Sequence, residues 1–198
     1  MAELEGSNMS NVSPLGHLAV FNQPEAVIGG VDVSLSVKTN LGIAQVFARR
    51  GQAEQLAAAL NIGSQPGKAS SSDKMTALPL SPGQWLLVSP TGADGQWCEQ
   101  LKEKLNGVGY ISEQSHSRVV FRVSGPKARQ VMQKGCRLDL HPSQAPVDFC
   151  AQTSMAQVGV LIHLVDDTPT YDIYVYSGFA DSFWSWLSHS AAEFQTPS

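Results

Sequence analysis

The segment "RVVFRVSGPKARQVMQKG", from Arg118 to Gly135, limits the fold more than any other part of the chain. Val119, Phe121 and Val123 alternate with Arg118, Val120 and Arg122, the period of a strand with one apolar face. Pro126 suits a first helical turn, where its missing N–H costs nothing. Ala128, Val131 and Met132 then form an i, i+3, i+4 stripe, and Gly135 suits the helix exit. A strand feeding directly into an amphipathic helix is the unit of a layered α+β protein.

The rest of the chain repeats these two periods. "VDVSLSVK" reads as a half-buried strand through Val31, Val33, Leu35 and Val37, and "LGIAQVFARR" as a second strand, together a hairpin. Ala53, Leu56, Ala57 and Leu60 mark a helix that Gly63 is placed to stop. Further strands are expected at 75–80 and 85–88. Trp97, Leu101 and Leu105 mark a helix ended by Gly107. One or two strands fall between Cys150 and Asp167, and another at 171–175. The expected fold class is α+β, with two small α/β-sandwich subdomains over 17–112 and 113–198. Residues 1–16, rich in Ser, Asn, Glu and Gly, are expected to be a disordered tail.

The last helix is expected to begin near Ser177 as N-cap. On its wheel Phe179, Phe183, Trp186, Leu187 and Phe194 share one arc of core-facing width. Trp184 lies well off that arc. An exposed Trp gains several kcal/mol when covered, at roughly 25 cal/mol per Å². Trp184 is therefore a candidate contact with another chain.

Charged residues make up 15% of the 198 residues, below the usual ~25%, so more of the surface is neutral than in most domains. The net charge is −4 with no basic run, which gives nucleic acid no electrostatic footprint. The apolar runs are too short for a membrane span, and the N-terminus lacks the basic start and apolar core of a secretory signal, so a cytoplasmic location is expected. Cys98, Cys136 and Cys150 are odd in number and form no C-x-x-C, which points to reduced, mostly buried thiols.

The chemistry-bearing residues do not assemble into a reactive set. His116 and Ser117 are strand neighbours and point to opposite faces, and G-x-S-x-G is missing. His116, Cys136, His141, Cys150 and His163 lack metal-ligand spacing. G-x-G-x-x-G and the phosphate-binding P-loop are also missing. Asp166 and Asp167 read as turn residues. Arg118 and Arg122 are placed to pair with carboxylates of this chain or of a partner. No catalytic, cofactor or metal residues are assigned.

"SHSRVVFRVSGPKARQVMQKGCRLDLHP", "CAQTSMAQVGVLIHLVDDTPTYDIYVYSGFADSFWSWL" and, more weakly, "PGQWLLVSP" resemble the gamma subunit family of heterotetrameric sarcosine oxidase. That family resembles in turn the glycine-cleavage T-protein-like folate-binding fold. The resemblance implies a non-catalytic gamma subunit that stabilises a complex with alpha, beta and delta subunits. Such a complex demethylates sarcosine oxidatively to glycine, producing peroxide and passing the one-carbon unit to tetrahydrofolate. FAD, FMN, NAD and zinc would then sit on other subunits, and none on this chain. In T-protein-like relatives an acidic pair follows a Gly-Gly strand; aligning Gly159 puts Ile162 and His163 there. Ile162 cannot move a proton. The residues expected at a subunit interface are Ser115, His116, Arg118 and Trp184. The alternatives are a stand-alone folate-dependent one-carbon transfer protein and a gamma-like subunit of a related N-methyl amine oxidase or dehydrogenase.

Overall fold

The structure, a computed structural model, describes residues 27–72, 74–91 and 96–194. The tail expected at 1–16 lies outside the described residues. Two antiparallel sheets form the body. The strands are β1 (Val27–Gly29), β2 (Ser34–Lys38), β3 (Gly42–Ala48), β4 (Ser70–Ser71), β5 (Thr76–Ser81), β6 (Gln84–Ser89), β7 (Gly109–Glu113), β8 (Arg118–Ser124), β9 (Cys150–Met155), β10 (Val158–Asp166) and β11 (Thr170–Tyr176). One sheet has the order β1-β2-β8-β11-β10-β9 and the other β4-β5-β6-β3-β7. The helices are α1 (Ala53–Leu60), α2 (Gln96–Lys104), α3 (Ala128–Gln133) and α4 (Ala180–Ala191).

The buried side chains sort into three apolar layers. Phe121, Ile162 and Ile173 of the six-stranded sheet pack with Val131, Met132, Phe183 and Leu187 of α3 and α4. Val46, Trp85 and Leu87 of the other sheet pack with Leu56, Leu60 and Leu101 of α1 and α2. Ile43, Leu78 and Leu86 meet Val120, Leu161 and Tyr174 between the sheets. The order is helix, sheet, sheet, helix, the mixed α/β architecture that the alternating periods imply.

The expected hairpin between 31–37 and 41–50 does not form. β2 pairs β1 and β8, whereas β3 pairs β6 and β7 in the other sheet. Asn40, at φ 57, turns the chain from one sheet to the other. The burial patterns give the reason. β2 buries alternate residues only, which fits a sheet region with one open face; β3 buries Gly42, Ile43, Ala44 and Val46, on both of its faces. β1 and β2, which lie in the 17–112 half, thus join the sheet of the 113–198 half, with β2 paired to β8 and β1 to β2.

One glycine position also differs from expectation. α1 stops at Asn61, left-handed at φ 53, and not at Gly63. Gly135 follows the C-cap Lys134 at the expected exit of α3, and it also serves clearance: a Cβ there would lie 2.4 Å from the Trp186 ring. Gly125 likewise keeps its expected role at the strand-to-helix joint. Its φ is +114, and a Cβ would lie 2.5 Å from the Asp32 carbonyl oxygen. That approach lets Lys127 N–H donate to Asp32 C=O at 3.0 Å, fastening the start of α3 to the β1–β2 loop.

Candidate subunit interface

The ends of β8 and β11 present one aromatic and cationic surface. Arg118 and Tyr176 are directly opposite in the register. The Arg118 guanidinium sits 4.2 Å from the Tyr176 ring centroid, and its Nη2 donates to the Tyr176 hydroxyl at 3.0 Å. Such a stack contributes about 0.5–1 kcal/mol at an exposed site and holds both side chains in place. Tyr176 is nevertheless 48% exposed, and Phe179 beyond it 53%. An exposed Tyr stacked on an arginine at a strand end, with a second exposed aromatic in the 3-10 turn that follows, is the composition that interface cores favour.

The loop from β7 to β8 is fixed below this surface. The Ser115 hydroxyl accepts the Ile43 N–H at 2.9 Å, and Ser115 N–H donates to Glu113 Oε1 at 2.7 Å. The Ser117 hydroxyl donates to the Gln114 carbonyl at 2.9 Å, and Ser117 C=O accepts the Ser177 N–H at 2.9 Å. Ser115 therefore positions the loop with its hydroxyl committed inward. His116 is exposed at the tip, and Arg118 lies half-buried beside it.

Trp184 is not an exposed residue. It is 8% exposed and stacks on Phe121 with centroids 5.6 Å apart, inside the layer under α4. Phe179, expected in the core, is the exposed one. Ser177–Phe179 form a 3-10 turn and α4 begins at Ala180, so a single 100° wheel cannot be carried back through Phe179. Sequence reasoning also missed Tyr176, although it continues the alternation of Asp172 and Tyr174 toward the strand end.

A second group of polar residues crosses the six-stranded sheet. Cys150, His163, Asp172, Arg122 and Ser36 are successive cross-strand partners on β9, β10, β11, β8 and β2. Asp172 is 3% exposed and accepts from Arg122 Nε at 2.7 Å and Nη2 at 2.9 Å, with Lys38 Nζ 3.5 Å away. This fork satisfies the buried carboxylate and raises the Arg122 pKa, chiefly through that hydrogen bond. Arg122 thus finds its carboxylate within this chain. Burial lowers the His163 pKa, and its Nε2 has no hydrogen-bond partner. Burial pushes the Cys150 thiol up to about 12, so it offers no thiolate for attack or ligation at neutral pH. Cys98, Cys136 and Cys150 are all free. No group of three or more His, Cys, Asp or Glu among the described residues could hold a metal ion. Ile162 lies fully buried beneath the helices, while His163 faces the other sheet. Asp166 accepts the Thr168 N–H at 3.0 Å, the expected turn chemistry. No helix among the described residues is long and apolar enough to cross a membrane.

Residues 53–193 match the model of the sarcosine oxidase gamma subunit family. The chain belongs to that family. It is 30% identical over 190 residues to sarcosine oxidase subunit gamma of Arthrobacter sp, covering 93% of this chain and 92% of that one. It is also 30% identical over 186 residues to the gamma subunit of Corynebacterium sp. strain P-1, covering 92% and 90%. Among solved structures it is similar to a chain of the heterotetrameric sarcosine oxidase from Corynebacterium sp. U-96 in complex with pyrrole 2-carboxylate. The TM-score there is 0.81, with 26% identity over 94% of this chain and 97% of that one. Aminomethyltransferase T of the Bartonella henselae glycine cleavage system shares the fold, at TM-score 0.60, 14% identity, 81% of this chain and 46% of that one.

Proposed function

We propose that this gamma-family chain is a non-catalytic subunit that stabilises a heterotetrameric sarcosine oxidase through the Arg118–Tyr176–Phe179 surface. The observation that carries this reading is a half-exposed Tyr176 held at the end of β11 by the stacked Arg118, followed three residues on by a half-exposed Phe179 in the 3-10 turn. Family membership supplies the setting, since a solved relative is part of a heterotetramer. The partners are the alpha, beta and delta subunits. FAD, FMN, NAD, zinc and tetrahydrofolate are held by those subunits, which carry out the oxidative demethylation of sarcosine to glycine in the cytoplasm. The buried, paired state of Asp172 and the neutral thiol of Cys150 support a structural role for the polar row.

Co-expression with the alpha, beta and delta chains tests the reading. The chain should co-purify with them. Tyr176→Ala with Phe179→Ala should weaken assembly at least ~10-fold, the size of a lost aromatic anchor, while lowering the melting temperature of the isolated chain by only the few degrees that the lost stack accounts for. A flavoenzyme that is intact and fully active without this chain would overturn it. So would sarcosine turnover by the purified chain alone.

A further inference from the structure

We propose that the free edge of β7, together with the cationic hollow at its start, takes an extended segment of another subunit as an added strand. This rests on the gamma-subunit reading. Among the described residues β7 is the outermost strand of its sheet and pairs only β3. Arg49 N–H donates to Val108 C=O at 3.0 Å, and Gln114 N–H donates to Ile43 C=O at 2.7 Å. Backbone groups alternate in direction along a strand, so residues 110 and 112 also face β3. Ile111 and Glu113 then turn both N–H and C=O outward, and Gly109 its C=O.

Natural edges are blunted by proline, charged side chains, bulges or shortness. Gly109–Glu113 has no proline or register shift, is five residues long, and its one charged side chain, Glu113, is turned back to accept the Ser115 N–H. The other edges among the described residues are managed. β1 has three residues and β4 two. β9 lies against the other sheet, where Gln152 Nε2 donates to Leu80 C=O at 2.9 Å.

The hollow gives the occupant its chemistry. About 320 Å³ in size, it is lined by Arg49, Lys102, Asn106, Tyr110 and Ile111, with no carboxylate among the described residues of its wall. Lys102 pairs with Glu99, whereas Arg49 rests 5.1 Å from the Tyr110 centroid with no carboxylate partner among the described residues. The segment therefore carries an Asp or Glu beside Arg49. It also carries alternate apolar side chains on the face of Ile111, which packs on the α1–α2 layer. At its other end β7 runs into the 114–117 loop below Arg118, so the added strand would continue the candidate interface.

Amide hydrogen exchange on the isolated chain and on the co-expressed complex provides the test. The Ile111 and Glu113 amides should slow at least tenfold in the complex. Glu113→Pro removes an outward donor, which an edge strand tolerates. It should lower subunit affinity at least tenfold further than Glu113→Ala, which loses the same carboxylate but keeps the outward N–H, and Arg49→Glu should also lower it. Unchanged exchange in the complex overturns the proposal, as does full assembly of the proline variant or equal loss from the alanine variant. Protection that grows with concentration in the isolated chain assigns the edge to a second copy and also overturns it. Absence of any complex defeats the gamma-subunit reading as well; a complex with unprotected β7 amides defeats only the added strand.

Discussion

Gly125 meets two constraints that no side chain satisfies together: a φ of +114 and an Asp32 carbonyl 2.5 Å from where Cβ would stand. Gly125→Ala should cost about 3 kcal/mol, combining backbone strain with a displaced loop. Urea unfolding would measure it, and a loss below about 1 kcal/mol would show that the joint can relax. This residue is legible in the sequence because Gly-Pro between two periodic runs marks a sharp joint. Gly135 is legible only as a helix exit, because its clearance role concerns the Trp186 ring, more than 50 positions away along the chain. His163 shows the same limit for titration. Its strand position is readable, but its burial between two sheets is not. Burial depresses its pKa below 6.5 in the fold, so the unfolded chain binds the proton first. Its contribution is complete above pH 6.5 and is lost as pH falls from 6.5 toward the folded-state value. Denaturant titrations from pH 7.5 to 5 should show stability falling with acid in the native chain and falling less in His163→Gln. Parallel slopes would remove His163 as the cause.

Among the elements, long periodic segments are readable and short or irregular ones are not. β8, α1, α2 and α3 follow their apolar repeats closely. β1 and β7 have three and five residues, too few for alternation to stand out. The break between β9 and β10 is made by Ala156 and Gln157 at positive φ, where Asn and Gly would ordinarily mark a turn. α4 shows the cost of one wheel applied across two helix types, with Trp184 and Phe179 exchanging their expected places. Trp184→Ala should therefore act on the fold. It empties a site stacked on Phe121 and should lower stability by about 3–5 kcal/mol in urea unfolding of the isolated chain. A stable Trp184→Ala chain that fails only in assembly would return this residue to the interface.

The whole molecule is tied together by the excursion of β2. Val33, Leu35 and Val37 are 0–4% exposed and lie in the layer with Phe121, Val123 and Ile173. Each contributes about 1.5–3 kcal/mol, so the three together contribute about 6 kcal/mol, comparable with the net stability of a domain. Nothing local in the sequence records this, because a strand's alternation specifies one buried face without naming the sheet that buries it. Residues 113–198 should therefore not fold cooperatively alone, despite containing four strands and two helices. Without β2 the β8 edge is unpaired, Phe121 and Val123 lose cover, and the Asp32 carbonyl no longer receives the Lys127 N–H. A 113–198 fragment should give a broad, non-cooperative urea profile. Fusing 27–38 to it through a flexible linker should restore a cooperative transition, followed by far-UV circular dichroism and tryptophan fluorescence together. A sharp, coincident transition in the unfused fragment would show that the six-stranded sheet does not depend on its first two strands.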